Sequence, residues 1–302
     1  MQEGLWYIRL TAACRSGNLM IFETKIILTM KKTIFIISAL CLAFALQAQN
    51  LTILHTNDTH SHIDPLRSGA NTGTGGVIER AAYIDSVRAA DGKKNVLLLD
   101  AGDFSQGSPY FTILKGDVEI DIINAMKYDA ICLGNHEFDN GIEELSRRLS
   151  NLDCPAVCAN YEFTGCSLSD LVRPYVIVRR GGLKIGIIGL LTDLTRVVDR
   201  DIAERIKYLE PAEVANKYAA YLKNEKKCDL IICLTHLGFT AESYTDQELA
   251  AQTRNVDLIV GGHSHTFLTS LHEVKDLDGK PVTIVTDGCW GQYVGNLKIS
   301  EK

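Results

Sequence analysis

Five short polar clusters interrupt this chain, and each follows directly after an apolar run. The clusters are Asp58-Thr59-His60, Gly102-Asp103, Gly134-Asn135-His136-Glu137, Thr235-His236 and Gly262-His263-Ser264-His265. A nearly continuous apolar run predicts a strand covered on both faces, and a polar cluster after it predicts the loop at its carboxyl end. Loops at the carboxyl ends of parallel strands meet at one edge of a sheet. The chain is therefore restricted to folds in which five distant loops build one polar site.

The rest of the pattern predicts a mixed α/β layered fold. Strands are predicted at Leu51–His55, Val96–Leu99, Ala130–Leu133, Ala156–Ala159, Leu183–Leu191, Leu230–Leu234, Leu258–Val260 and Val282–Thr286. Helices are predicted at Val77–Ala90, Val118–Lys127, Ile142–Leu149, Pro211–Lys226 and Asp246–Thr253. Tyr175–Arg180 and Leu183–Ile188 flank two glycines, which predicts a hairpin.

The N-terminal residues have the pattern of a leader. Met30-Lys31-Lys32 supplies a basic start, Thr33–Leu46 an apolar run and Ala48 a small residue before a cleavage point. Together they predict a secretory signal over residues 30–48, preceded by an upstream extension over residues 1–29. The apolar run is shorter than the roughly 20 residues of a membrane span. We therefore expect a periplasmic or secreted protein without a transmembrane anchor after cleavage; a buried N-terminal helix is the alternative.

Residues 49–302 have the length and charge of one acidic domain. The formal net charge of the whole chain is −6, and it falls to about −9 without residues 1–48. Such a surface repels polymeric nucleic acid and excludes it as a partner. Cys154, Cys158 and Cys166 lie in less regular sequence, where one disulfide can form in an oxidising compartment. Their spacing is not that of a zinc finger.

Carboxylates, amides and imidazoles dominate the five clusters, and these groups bind divalent metal ions. Asp103 follows Gly102 and carries two oxygens, so it can bridge two cations, which no imidazole can do. Asn135 can bind a cation through its amide oxygen without adding charge. Five of the eight histidines of the chain fall in the clusters. The candidate metal ligands are Asp58, His60, Asp103, Asn135, His236, His263 and His265.

The segment Gly134–Asp139 is the most specific of the five. His136 can reach a leaving group while Asp139, three residues on, orients its ring, so these two residues are the candidate catalytic pair. Taken alone, each cluster has a plainer explanation as a solvated turn or a packed histidine. His55 and His62 are expected to be structural or to lie outside the ligand set. Asp100 is expected to bond backbone groups.

Taken in order, the clusters resemble those of the calcineurin-like metallophosphoesterases. Ile53-Leu54-His55-Thr56-Asn57-Asp58 and Gly134-Asn135-His136-Glu137-Phe138-Asp139 narrow the resemblance to the 5′-nucleotidase branch, over about Leu51 to Ile299. It implies an α/β/β/α sandwich of two mixed sheets flanked by helices. It implies one metal held by Asp58, His60, Asp103 and His265, and a second held by Asp103, Asn135, His236 and His263. It also implies that His136 and Asp139 act as a catalytic pair.

The resemblance implies hydrolysis of phosphate monoesters, in particular nucleoside 5′-monophosphates, with two divalent ions chosen from Mn, Zn, Fe, Co and Mg. A phosphodiesterase, including a 2′,3′-cyclic nucleotide hydrolase, is the first alternative. Sulfur-ester hydrolysis on a related centre and a non-catalytic metal-binding subunit are the others. Two-domain relatives continue into a C-terminal domain that holds the nucleobase. We expect that domain to be absent here, base preference to be weak, and a separate subunit to supply specificity.

Two further features have alternative uses. The glycine-rich segment Asn71–Gly76 precedes a predicted helix and can cradle a phosphate, but it lacks the lysine and spacing of a P-loop. A flexible connection with close helix packing is the favoured use. Trp290 and Tyr293 can floor a substrate pocket, whereas packing in the core or at a sheet edge is the favoured expectation.

Overall fold

The computed structural model describes residues 50–240 and 243–300, so the predicted leader segments lie outside the described residues. In chain order, the described strands are β1 (Asn50–Thr56), β2 (Val96–Asp100), β3 (Ala130–Cys132), β4 (Ala156–Val157), β5 (Tyr161–Glu162), β6 (Val172–Arg173), β7 (Tyr175–Arg180), β8 (Leu183–Leu191), β9 (Lys207–Tyr208), β10 (Leu230–His236), β11 (Leu258–Val260), β12 (His272–Lys275), β13 (Pro281–Val285) and β14 (Gly295–Ser300). The α-helices are α1 (Val77–Asp91), α2 (Pro109–Leu114), α3 (Asp117–Met126), α4 (Ile142–Leu149), α5 (Arg200–Ala203), α6 (Pro211–Asn224) and α7 (Asp246–Gln252).

Two six-stranded mixed sheets form the centre of the fold. The first has the order β14-β1-β2-β3-β4-β6, in which only β14 is antiparallel to its neighbour. The second has the order β12-β13-β11-β10-β8-β7, and its outer strands β12 and β7 are antiparallel to the parallel centre. The prediction of two mixed sheets flanked by helices is confirmed.

Three apolar clusters separate the layers. Leu51 and Ile53 of β1 pack with Ile232 and Leu234 of β10 between the two sheets. Leu54, on the other face of β1, packs with residues of α1, α3 and α4, while α6 and α7 cover the outer face of the second sheet. Strands β1 and β10 are thus buried on both faces, which explains why their apolar runs are continuous.

The two sheets approach each other closely beside β4. A Cβ added to Gly189 would lie 2.3 Å from the carbonyl carbon of Val157, so only glycine fits there. The backbone N–H of Ala159 donates to the carbonyl oxygen of Gly189 on the other sheet, at 2.8 Å. This bond explains a correction: β4 ends at Val157, whereas the predicted strand continued to Ala159.

The other predicted elements differ from the structure mainly at their ends. Helix α4 has the predicted bounds, α6 ends two residues early, and the predicted hairpin forms β7 and β8. The strands β5, β6, β9, β12 and β14 and the short helices α2 and α5 were not predicted. The seven cysteines of the described residues are all free, so the disulfide considered for Cys154, Cys158 and Cys166 is not formed. No helix in the described part of the chain has the length and apolar character needed to cross a membrane.

Candidate metal centre and active site

The candidate ligands come from the carboxyl ends of strands in both sheets. Asp58 and His60 follow β1, Asp103 follows β2 and Asn135 follows β3. The remaining three come from the second sheet, with His236 at the end of β10 and His263 and His265 after β11. The structure brings all seven together at one edge of the sandwich. Six of them and His136 fall into three groups whose ligand atoms lie within 4.8 Å of one another: Asp58 with His60 and His265, His60 with Asp103 and His136, and Asp103 with His236 and His263.

Asp58, His60 and His265 form the first group. The Nε2 atoms of the two imidazoles lie 2.9 Å apart. Both face Oδ1 of Asp58, at 3.5 Å from His265 and 3.8 Å from His60. Burial lowers the pKa of His60 to about 4, so its ring is neutral and has a lone pair to offer. Two imidazole nitrogens and a carboxylate oxygen thus point at a common volume.

Asp103, His236 and His263 form the second group. Nε2 of His236 lies 3.0 Å from Oδ2 of Asp103, and the rings of His236 and His263 meet edge to face at 5.1 Å. Oδ2 of Asp103 also lies 3.9 Å from Nε2 of His60, which belongs to the first group. Asp103 therefore stands between the two groups, as a bridging carboxylate must.

Several buried atoms at this edge are electron-pair donors that lack a hydrogen-bond donor opposite them, as the ligands of a cation would. His236 holds Nδ1 2.7 Å from the carbonyl oxygen of Ala101. In the neutral ring with the proton on Nδ1, Nε2 directs a lone pair at the carboxylate of Asp103. Oδ1 of Asn135 is buried without a hydrogen-bond partner. Oxygen and imidazole donors of this kind suit Mn, Zn, Fe, Co or Mg, so the residues present fit the metal ions that the resemblance implies.

Charges within the cluster shift its pKa values strongly. Burial alone would raise the pKa of Asp103, but the positive charge of His236 outweighs it and holds that pKa below its usual range. Burial lowers the pKa of His236, and Asp103 then raises it to about 10. Asp58 has its pKa raised to about 7, chiefly by burial.

The backbone at several of the candidate ligands adopts a left-handed conformation that residues other than glycine seldom take. Asp58, His60, Asp103, His263 and His265 all have positive φ, between 45° and 78°. Such backbone costs about 1–3 kcal/mol at each residue unless the surroundings impose it. Loop-to-loop hydrogen bonds do so here: the N–H of Asp58 donates to Gly102 and that of His60 to Asp103, both at 2.9 Å.

Glu137 is a residue of the candidate site for which sequence reasoning predicted no role, although it belongs to the most specific cluster. Its buried carboxylate accepts backbone N–H groups from Asp103 at 2.9 Å, Ser105 at 3.0 Å and Gly134 at 2.6 Å. Buried Arg148 donates to the hydroxyl of Ser105 and to the carbonyl oxygen of Glu137. Glu137 thus fastens the loop after β2 to the loop after β3. A charged residue inside an apolar-flanked motif is the signal that could have identified it.

Asn57 has a similar role on the other side of the site and was also missed. Its Nδ2 donates to Oδ2 of Asp58 at 2.6 Å and to the carbonyl oxygen of Gly288 at 2.7 Å, and its Oδ1 accepts the N–H of Asp287 at 2.9 Å. The carboxylate of Asp58 also accepts the N–H of His263, at 2.9 and 3.1 Å. These bonds aim the carboxylate of Asp58 into the site.

His136 and Asp139 lie at the mouth of the site. Nδ1 of His136 lies 2.9 Å from Oδ2 of Asp139, and both side chains are about one-third exposed. The hydrogen bond with Asp139 raises the pKa of His136 to about 9, so the ring is protonated near neutral pH. His136, His60 and Asn135 line an open pocket of about 460 Å³. The size is within the range of small-molecule sites.

Three polar residues near the site that were not predicted to bind metal have other contacts. His55 is buried and pairs with Asp287, with Nδ1 2.6 Å from Oδ2, and is structural as expected. Asp100 accepts from the hydroxyl of Thr56 and from the N–H of Gly102, also as expected. His62 lies in the pocket wall and stacks on a neighbouring indole.

The expectation that Trp290 and Tyr293 pack in the core or at a sheet edge is wrong for Trp290. Trp290 is 39% exposed and lines the pocket, while Tyr293 is 44% exposed and stacks on Phe267. The reason is the backbone at Trp290, whose φ of 62° turns the loop toward the site. The glycine-rich segment packs under this loop, since a Cβ on Gly75 would lie 3.2 Å from the carbonyl oxygen of Trp290.

Comparison with known proteins gives a consistent result. The family model described as calcineurin-like phosphoesterase matches residues 51–267. Snake venom 5′-nucleotidase from Naja atra is 36% identical, over 83% of this chain and 50% of its own length. The structure resembles a 5′-nucleotidase precursor from Thermus thermophilus with a TM-score of 0.76 and 37% identity, covering 84% of this chain and 52% of that one. NAD nucleotidase from Haemophilus influenzae gives a TM-score of 0.74 and 30% identity, covering 84% and 47%. The chain spans about half the length of these relatives.

Proposed function

The chain belongs to the calcineurin-like phosphoesterase family, and on that premise we propose that it hydrolyses phosphate monoesters, in particular nucleoside 5′-monophosphates. The observation that carries the proposal is the convergence of Asp58, Asp103 and five other candidate ligands beside His136. The resemblance of the clusters to the 5′-nucleotidase branch, predicted from the sequence, agrees with the relatives.

We propose that Asp58, His60, Asp103 and His265 hold one divalent ion, and that Asp103, Asn135, His236 and His263 hold a second. When bound, such ions supply Lewis-acid activation of water and offset the charge of the phosphoryl oxygens. Asp103 is the shared ligand because its carboxylate stands between the two groups. Neutral His60 and His263, whose pKa values burial lowers to about 4, are in the state that binds metal.

His136 would act on the substrate rather than hold an ion. Its Nδ1 is engaged by Asp139, which leaves Nε2 as the nitrogen free to approach a bound ester. A protonated imidazole at this position can stabilise the phosphoryl charge or protonate the leaving oxygen. The rival assignment is that His136 is a ligand, since it also forms a group with His60 and Asp103. The metal content of a His136→Ala variant separates the two.

A substrate panel tests the reaction. The full chain, stripped with EDTA and reloaded with Mn²⁺, is expected to release phosphate from AMP faster than it cleaves bis(p-nitrophenyl) phosphate or NAD. Asp58→Asn should abolish the release, while Asp121→Asn, which changes an exposed carboxylate on α3, should not. Cleavage of the diester or of NAD without release from AMP would favour the phosphodiesterase. A metal-loaded chain that cleaves none of the three would be a binding subunit.

NAD is included because one similar structure is an NAD nucleotidase at 30% identity. We also propose that residues 30–48 direct export and are removed, which N-terminal sequencing of the exported protein tests. A separate specificity subunit remains a prediction that the described residues do not test.

A further inference from the structure

A groove beside the metal pocket has no part in the mechanism above. It encloses about 590 Å³ and shares His62 and Trp290 with the pocket that holds the candidate ligands. Ile63, Leu66 and Tyr110 contribute to its lining. If the phosphate of a substrate lies among the candidate ligands, the rest of the substrate can extend past Trp290 into this groove.

The indole of Trp290 is fixed at the boundary between pocket and groove. Its backbone N–H donates to the carbonyl oxygen of Asp58 at 2.7 Å, so the loop is tied to a candidate metal ligand. The ring of His62 stacks on the indole, with centroids 5.3 Å apart and planes inclined by 24°. Trp290 nevertheless remains 39% exposed. One face of the indole is backed by protein, and the side chain still offers aromatic surface to a ligand.

The charges of the groove suit an uncharged ligand group. Arg67 is the cation in its lining, and its Nη2 donates to Oδ2 of Asp64 at 2.6 Å, so the pair neutralises itself. A second phosphate would find no unpaired positive charge among these lining residues. A flat, neutral ring would instead gain stacking on the indole and contact with apolar side chains.

We propose that Trp290 is a specificity-determining residue that stacks on the planar ring of the leaving group, the nucleobase of a nucleotide. The inference rests on the proposed phosphoesterase function and extends it. It differs from the expectation that a separate subunit supplies all of the contacts to the base. Stacking of a base on an aromatic side chain is worth about tenfold in affinity, or more.

A kinetic ratio tests the role of the ring. AMP and ribose 5-phosphate present the same ester to the metal centre, but only AMP carries a base. In the full chain with Mn²⁺, Trp290→Leu is expected to lower the ratio of kcat/KM for AMP to that for ribose 5-phosphate about tenfold, mainly through KM for AMP. Trp290→Phe, which retains a ring, should keep the ratio within about twofold. Tyr221→Leu, at a similarly exposed aromatic residue on α6, is the matched control.

Fluorescence provides a test that does not depend on turnover or on a folded Trp290→Leu variant. The chain contains two tryptophans, Trp6 and Trp290, so in a Trp6→Phe background the emission reports Trp290 alone. Adenosine, added with Mn²⁺ present, is expected to quench this emission in a saturable way, and ribose is not. Tyr221→Leu in the same background should leave the adenosine curve unchanged.

The outcomes separate the two proposals. If AMP and ribose 5-phosphate are hydrolysed but Trp290→Leu keeps the wild-type ratio, or if adenosine does not quench, the subsite is wrong and the phosphoesterase stands. If neither ester is hydrolysed while adenosine still quenches, the ring-binding surface stands and the proposed reaction fails. A uniform loss of rate on both substrates leaves the ratio intact, and thus counts against the proposal.

Discussion

Replacing Glu137 by glutamine is expected to lower the free energy of unfolding of the protein more than the same change at an exposed glutamate. One oxygen of Glu137 accepts the N–H groups of Asp103 and Gly134, and the other accepts that of Ser105. Glutamine has the same shape but only one acceptor. Its amide group must therefore face at least one backbone N–H, and the best orientation sacrifices the bond to Ser105.

The size of the effect follows from these three bonds. A buried N–H left without an acceptor costs about 1–3 kcal/mol, and two bonds that change from a charged to a neutral acceptor lose about 1 kcal/mol each. Burial raises the pKa of Glu137, so the neutral amide recovers part of this loss by removing a desolvated charge. The expected decrease in the free energy of unfolding is about 2–4 kcal/mol.

Urea denaturation of Glu137→Gln beside wild type measures this decrease at constant m-value. Glu162→Gln is the matched control, because Glu162 is exposed and its carboxylate forms a surface pair with Lys207 at 3.2 Å. That change should cost less than about 0.5 kcal/mol. We also expect Glu137→Gln to bind Mn²⁺ more weakly, since the loops that carry Asp103 and Asn135 lose their common anchor. A loss below about 1 kcal/mol with wild-type metal affinity would refute this account of Glu137.

Four further outcomes are expected. Removal of metal with EDTA should abolish hydrolysis of AMP, and activity that survives complete removal, checked by elemental analysis, would contradict the metal mechanism. Asp103→Asn should bind less metal and turn over more slowly than His60→Ala, because the carboxylate of Asp103 faces both groups; equal metal loss would argue against bridging. His136→Ala should lower kcat by about 10²- to 10⁴-fold with metal content near wild type; loss of an ion would make His136 a ligand. The hydrogen bond with Asp139 raises the pKa of His136 to about 9, so Asp139→Asn should move the alkaline limb of the kcat–pH profile to lower pH, and an unmoved limb would assign it to another group.

The sequence identifies those helices and strands whose burial produces an apolar pattern within one continuous stretch of residues. Helix α4 was predicted to the residue, and β1, β2, β10 and β11 within two residues, because both faces of these strands are buried and their apolar runs are continuous. Strand β14 was missed for the opposite reason. Its residues alternate between half-buried and exposed, and it is held by pairing with β1, about 240 residues earlier in the chain. No local pattern indicates such a partner.

The residues of the candidate site likewise divide into those that the sequence predicts and those that it does not. Side chains that would bind metal directly, such as Asp103 and His236, are predictable because their chemistry is unusual after an apolar strand. Glu137 and Asn57 act on backbone groups of distant loops, and a loop Glu or Asn is usually solvated. Trp290 depends on one backbone angle and on the ring of His62. Neither the backbone angle of Trp290 nor its stacking on His62 can be inferred from the sequence, because both depend on how the loops are arranged in the fold.

The left-handed backbone at the ligands shows why the fold must precede the site. An isolated loop would not hold Asp58, His60 and Asp103 at positive φ, since each such residue costs about 1–3 kcal/mol. Hydrogen bonds between loops supply the constraint, and they run through backbone atoms and through the carboxylate of Glu137. The candidate ligands therefore face their common volume because the sheets bring the loops together. A cation that binds there would meet donors that hydrogen bonds between the loops help to hold in place.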